Sequence, residues 1–440
     1  MGSLPWKGCC FLLAFLGAAA CAVRRRPRTS VAFVCLFVAA AAAAPHLWAW
    51  FHWHEAKACL ARARPQEARR HLQACLRIWS NRVAPHLLAA RAARQAGDFE
   101  EAEQHFAEIR RLQPNESDDV LLEWALHRAA QGDLGPVESY LRPRMRHGSE
   151  EGPLVCEALA EGYLRNYRGP EALAVLDVWQ EQQPDHPRLL SLRGDVWRHA
   201  EALSKAAECY QRVLELDPER DEARHWLALC LLDGGRAAEA EPHWELLRAR
   251  HPRDVETLVH VARCQFQLGQ GEPAHRLLEE ILITHPDHVV ALRSLGEMLF
   301  QKGQLPEAET FARRALGVAP WDYQSNGLLA QILQQQGRSG EAESFREQSR
   351  RLEARWKQFR KAAREMSDRP HDPALQCEAA AALLDLGYDD LSLRWLLNAL
   401  HIDWQCRRGH ELLARWYEKH RDAERAAYHR RLFDKGVVRE

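Results

Sequence analysis

The feature that most constrains this chain is a small residue that returns every 34 positions. It stands at Ala68, Ala102, Val137, Ala172, Ala206, Ala240, Ala274, Ala308, Ala342, Ser392 and Ala426, at intervals of 34 or 35 except for one of 50 before Ser392. A second small residue lies twelve positions before each: Ala56, Ala90, Ala125, Ala160, Gly194, Ala228, Ala262, Gly296, Ala330, Ala380 and Ala414. A proline follows twelve after the first mark at Pro114, Pro184, Pro218, Pro252, Pro286 and Pro320. Each unit therefore holds two helical stretches of about a dozen residues with apolar side chains at helical spacing. A glycine turn such as Gly269 or Gly337 parts them. Paired small residues let the two helices approach, and the proline ends the second helix. One such hairpin cannot bury its apolar face alone, so stacked neighbours must make a continuous core.

These marks resemble the tetratricopeptide repeat family. The run from Pro187 to Trp197 carries the Gly and aromatic positions of its first helix, and Glu307 to Ala315, continuing to Pro320, carries its second-helix pattern. The resemblance covers about residues 49–440 as eleven units, with departures around 118–152 and 373–440, where Val137 and Ser392 replace Ala. It implies an all-α, right-handed superhelical solenoid of helix-turn-helix repeats. It also implies a concave face lined by first helices, which holds a peptide or a partner's helix. Carried onto this chain, the groove positions include Arg198, Arg263, Phe266, Arg293, Glu297, Phe300 and Gln334. Arginine grips carboxylates through two parallel hydrogen bonds and phenylalanine holds an apolar side chain, which suits a peptide segment. The Lys and Asn clamp of the chaperone-tail subclass is not carried over, because its Asn positions are not Asn here.

The long interval implies an insertion of 16 residues, near 357–372. Residues 341–366 contain no Gly or Pro, so the second helix of that unit should run on, with Leu352, Trp356, Phe359, Ala363 and Met366 as one apolar stripe. Arg355, Lys357, Arg360, Lys361 and Arg364 give it a basic face, read either as a solvated surface or as a contact for an anionic partner. The charged stretch Arg421–Arg431 suits a polar capping helix.

Two apolar stretches precede the repeats, about 9–23 and 31–51, with Arg24–Arg28 between them. The second has 21 uncharged residues, enough for a transmembrane helix, and Trp48, Trp50 and Trp53 mark its far end. The first is short and reads as a span, a signal peptide or neither. Segment 1–30 is thus an apolar segment with a basic cluster, 31–51 a membrane helix and 52–440 the repeat array. The arginines should stay cytoplasmic, which places the array on the outer side of the cytoplasmic membrane.

No nucleotide-binding glycine loop, metalloprotease or Cys-x-x-Cys pattern is present, so neither catalytic residues, metal, cofactor nor small-molecule substrate is expected. A net charge of -1 argues against nucleic acid as the partner. Cys59 and Cys75 fall on the two helices of one unit, as buried thiols or a disulfide. The basic residues comprise 52 Arg against 8 Lys, a bias of GC-rich, bacterial coding. The expected function is a non-enzymatic, membrane-anchored scaffold that binds protein or peptide partners and organises an envelope complex. The alternatives are a chaperone-like factor in cytochrome c or envelope-protein maturation, and a non-catalytic subunit of an envelope enzyme.

Overall fold

A computed structural model describes residues 27–115, 117–145, 151–369 and 372–435. Among the described residues lie twenty-two α-helices, one 3-10 turn and no strand. The chain divides into two compact units, residues 1–127 and 128–440.

The first unit holds α1 (Pro27–Ala61), α2 (Pro65–Trp79), α3 (Val83–Gln95), α4 (Phe99–Leu112) and the start of α5 (Asp118–Gln131). Ala56, Cys59, Ala68, Leu72, Leu88, Ala89 and Ala92 form one of its cores. The second unit continues with α6 (Glu138–Leu141), a 3-10 turn at Arg142–Arg144, α7 (Gly152–Arg165), α8 (Gly169–Gln182), α9 (Pro187–His199) and α10 (Leu203–Leu216). Next come α11 (Asp221–Asp233), α12 (Ala237–Arg250), α13 (Val255–Gln267), α14 (Gly271–Thr284), α15 (Val289–Gln301), α16 (Leu305–Val318) and α17 (Tyr323–Gln335). It closes with α18 (Ser339–Asp368), α19 (Pro373–Asp385), α20 (Asp389–Ile402), α21 (Arg407–Lys419) and α22 (Ala423–Lys435). The unit boundary falls in the repeat whose second helix shrinks to the single turn α6. Pro136 and Pro143 bracket that helix, and neither can donate a helical backbone hydrogen bond.

Every small residue that marks the period is buried. At Gly194 the reason is explicit: a Cβ there would stand 2.8 Å from the Tyr210 ring, so α10 can approach α9 only where the side chain is absent. Ser392, which breaks the Ala pattern, donates its hydroxyl to the Ala380 carbonyl at 2.9 Å. Both are period marks of one unit, so the exception satisfies its own polar group inside the hairpin.

The turn inside each hairpin repeats one hydrogen bond. The amide of Asp98 donates to Ala93 O at 2.9 Å, Arg236 to Leu231 O at 2.8 Å and Gln304 to Leu299 O at 2.9 Å. This six-to-one closure needs a left-handed residue just before the donor. Gly97, Gly132, Gly235, Gly269, Gly303, Gly337 and Gly387 supply it with φ from 75° to 94°. Four turns use Ala63, Tyr167, Glu201 and Arg421 instead, with φ from 52° to 60°.

Helix α18 runs 30 residues without a break. Leu352, Phe359, Ala363 and Met366 of its apolar stripe are buried and Trp356 is partly buried. The helix therefore has protein on its apolar side along its extended length.

At the other end α1 is a single 35-residue helix with Pro45 inside it. Residues 38–48 are exposed, including Val38, Leu47 and Trp48. No helix among the described residues is long and apolar enough to cross a membrane. Glu55 and Lys57 follow the uncharged stretch of this helix. The expected first span at 9–23 and residues Arg24–Arg26 lie outside the described residues.

Candidate partner-binding site

First helices of the second unit carry the proposed groove side chains, and most are half-buried. Arg198 lies 4.0 Å above the Trp226 ring and donates to Asp195 at 3.3 Å, while Tyr210 donates to the same carboxylate at 2.7 Å. Arg263 donates to Asp233 of α11 at 3.0 Å. Arg293 donates to Asp322 at 2.8 Å and stands 3.8 Å from Glu297. Burial holds the Glu297 carboxyl above its ordinary range, against the pull of Arg293. Phe266 and Phe300 pack their inner edges on the core of residues 259–342. Gln334, on the exposed side, accepts from Arg346 at 3.3 Å.

The two pairs made by Arg263 and Arg293 tie each first helix to an acid about one unit away. The partly exposed Arg263 pair contributes about 0–1 kcal/mol, while the Arg293 pair is more deeply buried. Both pairs orient the guanidinium groups. The array thus presents oriented Arg beside half-covered Phe.

A second periodic feature was not anticipated. Residues four before the first-helix mark face residues nineteen further on, across one hairpin. His52 meets His71 at 2.8 Å, His86 meets His105 at 3.1 Å and His410 meets His429 at 2.9 Å, each through Nδ1 atoms. Nε2 of His86 and of His410 donates to the carbonyls of Ser80 and Trp404, both at 2.9 Å. Their Nδ1 atoms are therefore acceptors, and His105 and His429 donate. Burial, then the facing imidazole, lowers both donor residues to about 4. In the middle of the array Arg224 and His243 occupy this pair at 3.4 Å. Among the described residues no group of three or more His, Cys, Asp or Glu is placed to hold a metal ion.

Four of the five basic residues singled out on α18 are ion-paired. Arg355 reaches Asp385 at 3.0 Å, Lys357 reaches Glu353 at 2.8 Å, Lys361 reaches Glu365 at 3.7 Å, and Arg360 pairs with Glu201. Arg364 is exposed and has no ion pair among the described residues. The Glu201 contact joins residues 159 positions apart. Tyr167 meets the same helix: its ring lies 4.7 Å edge-on to Phe359, 6.0 Å from Trp395 and 5.7 Å from His199. Tyr167 and Glu201 are two of the four turn residues that hold a left-handed backbone without being glycine. A side chain in that conformation costs roughly 1–2 kcal/mol, and at Tyr167 and Glu201 contacts with this helix act against that cost. The sequence carried this signal, because both turns lack the glycine of their neighbours.

Cys59 and Cys75 are buried thiols, and Cys59 lies 3.9 Å from a Glu67 carboxylate oxygen. Among the described residues the fold brings Cys377 and Cys406 together, with Sγ atoms 3.6 Å apart. Burial, with the facing Cys406 next, pushes the Cys377 thiol well up.

Residues 60–121, 157–221, 262–325 and 327–348 match profiles of the tetratricopeptide repeat. Residues 199–281 match the profile described as anaphase-promoting complex, cyclosome, subunit 3. No curated protein sequence matches the chain. Among solved structures, the human IFIT1 dimer with m7Gppp-AAAA is 18% identical, with a TM-score of 0.40, over 80% of this chain and 90% of that one. PilW, a type IV pilus biogenesis factor, is 19% identical, with a TM-score of 0.40, over 46% of this chain and 93% of its own. YrrB, a TPR protein with an unusual peptide-binding site, is 16% identical, with a TM-score of 0.36, over 42% of this chain and 95% of its own.

Proposed function

We propose that this array of tetratricopeptide repeats is a membrane-anchored, non-catalytic scaffold. It binds a protein or peptide partner along its first helices and organises an envelope complex outside the cytoplasmic membrane. The observation that carries the binding reading is the set of half-buried Arg263, Phe266, Arg293 and Phe300 on consecutive first helices. The arginines are already oriented by Asp233 and Asp322, and the phenylalanines are half covered. An extended segment with alternating acidic and apolar side chains would cover the rings and take over the guanidinium groups.

The anchor reading rests on α1. Its exposed residues 38–48 are apolar except for His46, whose Nδ1 accepts from the Trp79 indole at 3.0 Å. An apolar helix exposed on its sides is most stable in hydrocarbon, and Trp48 and Trp50 are suited to the headgroup level.

Two experiments test the two halves. A photo-crosslinking residue at Phe300 should yield a discrete adduct in cells. The same residue at Ile283, which is 80% exposed on a second helix, should not. Equal adducts from both positions would sink the groove reading. Alkaline phosphatase fused after Glu440 should be active, and a cytoplasm-active fluorescent protein at the same site dark. The reverse pattern would place the array inside and end the envelope assignment.

A further inference from the structure

Where α18 meets the turns of the earlier repeats, a cavity of about 590 Å³ remains. This is within the roughly 300–1,000 Å³ of small-molecule sites. One wall comes from the repeats, with Leu164, Leu173 and Val196, and the other from α18, with Trp356, Phe359 and Ala363. Tyr167 and Trp197 complete an aromatic lining. Lys205 sits 4.4 Å over the Trp197 ring.

The polar groups at the rim can be accounted for one by one. Arg198 is held by Asp195 and by the Trp226 ring. Arg360 is neutralised by Glu201. Burial, then the charge of Arg198, lowers the His199 imidazole, so it is neutral at pH 7. Arg364 remains, lining the cavity and exposed, with no carboxylate paired to it among the described residues. The site therefore combines an apolar, aromatic interior with Arg364, the one cation of its lining without a carboxylate partner among the described residues.

We propose that this cavity binds a small amphipathic monoanion: an aryl or acyl body seated among Trp197, Trp356 and Phe359, with its carboxylate on Arg364. A neutral apolar molecule would fill the interior and leave the guanidinium unmatched. A guanidinium can take a carboxylate through two parallel hydrogen bonds, which fixes the orientation of the body in the cavity. Because the two walls come from sequence-distant segments, an occupant also bridges α18 to the turns at Tyr167 and Glu201. Ligand that binds only the folded, closed arrangement stabilises it by mass action.

The test uses the full chain in lipid nanodiscs, with empty discs as the blank. Titration calorimetry with 2-naphthoate should give one saturable site, and the neutral isostere 2-naphthamide should bind at least about tenfold more weakly. Arg364→Gln should weaken 2-naphthoate about tenfold and leave the amide unchanged. Leu173→Trp, at a partly exposed wall position, should fill the cavity and abolish both signals while the unfolding midpoint stays near that of the parent chain. Equal binding of acid and amide, no binding of either, or parent-like binding by Arg364→Gln would each overturn the proposal. Arg364 is exposed, so its variant keeps the test decisive even if Leu173→Trp fails to fold.

Discussion

From Asp221 to Gln335 and from Gly152 to Leu216 the chain uses the same hairpin, yet the two stretches are held differently. In the first, glycine stands at each turn, as Gly235, Gly269 and Gly303, and the helices pack on their sequence neighbours. In the second, Tyr167 and Glu201 take the turn positions and reach α18, far along the chain. A repeat array is held by nearest-neighbour interfaces. Here one long-range contact is added, at turns where the backbone is strained. The difference teaches that the period sets the array, while the departures at Tyr167 and Glu201 coincide with the place where the array touches something other than its neighbours.

Removing the long-range contact should have the largest effect. Phe359 is 2% exposed and packs against Tyr167 and Trp356. Phe359→Ala should cost about 3–5 kcal/mol in denaturant unfolding. Hydrogen exchange should locate the loss in residues 152–201 and 352–402 and leave 255–335 protected. Equal loss of protection in both stretches would erase the distinction drawn above.

Acidification should act instead on the hairpins that carry histidine pairs. The folded-state values of His105 and His429, about 4, lie below the ordinary 6.5. Between those values the unfolded chain binds more protons, so stability rises with pH. The contribution is complete above about pH 6.5 and is lost as pH falls toward 4, by at most about 1.4 kcal/mol per pH unit for each group. Unfolding midpoints measured from pH 7 to 4 should fall, and the double variant His105→Gln, His429→Gln should show a shallower slope. An unchanged slope would mean that both imidazoles take up protons without strain in the fold.

The smallest effect separates the two strained turns. Glu201→Gly relieves a left-handed residue at the loss of one exposed ion pair, and should stabilise by about 0.5–1 kcal/mol. Tyr167→Gly relieves a similar strain and loses the ring contacts with Phe359, Trp395 and His199, so it should destabilise by about 1–2 kcal/mol. If both variants move the midpoint the same way, the strain and not the contact governs these turns.

The groove is legible in the sequence only as far as its positions. The period places Arg263, Phe266, Arg293 and Phe300 on first helices, because a fixed repeat puts equivalent residues on equivalent faces. That Arg263 pairs with Asp233 and Arg293 with Asp322 follows from side-chain packing between successive units, which spacing does not encode. The histidine pairs were present as a recurring interval of nineteen. Their meaning needed the knowledge that positions so separated face each other across one hairpin. On α18 the basic residues were visible, but their partners at Asp385 and Glu201 were not. Those partners come from other helices, one of them 159 positions away.

The sequence by itself determined the all-α class, the two-helix unit, the small residues at each crossing and the continuous helix through the insertion. These depend on neighbours within about one repeat, and local spacing specifies them. The tertiary structure alone decided that α18 would close on the turns of Tyr167 and Glu201, that Cys377 would face Cys406 and that a lined cavity would remain beside Arg364. The physical reason is that small rotations between stacked units add up along the array. Where two distant units meet depends on that sum, and no single interval in the sequence records it.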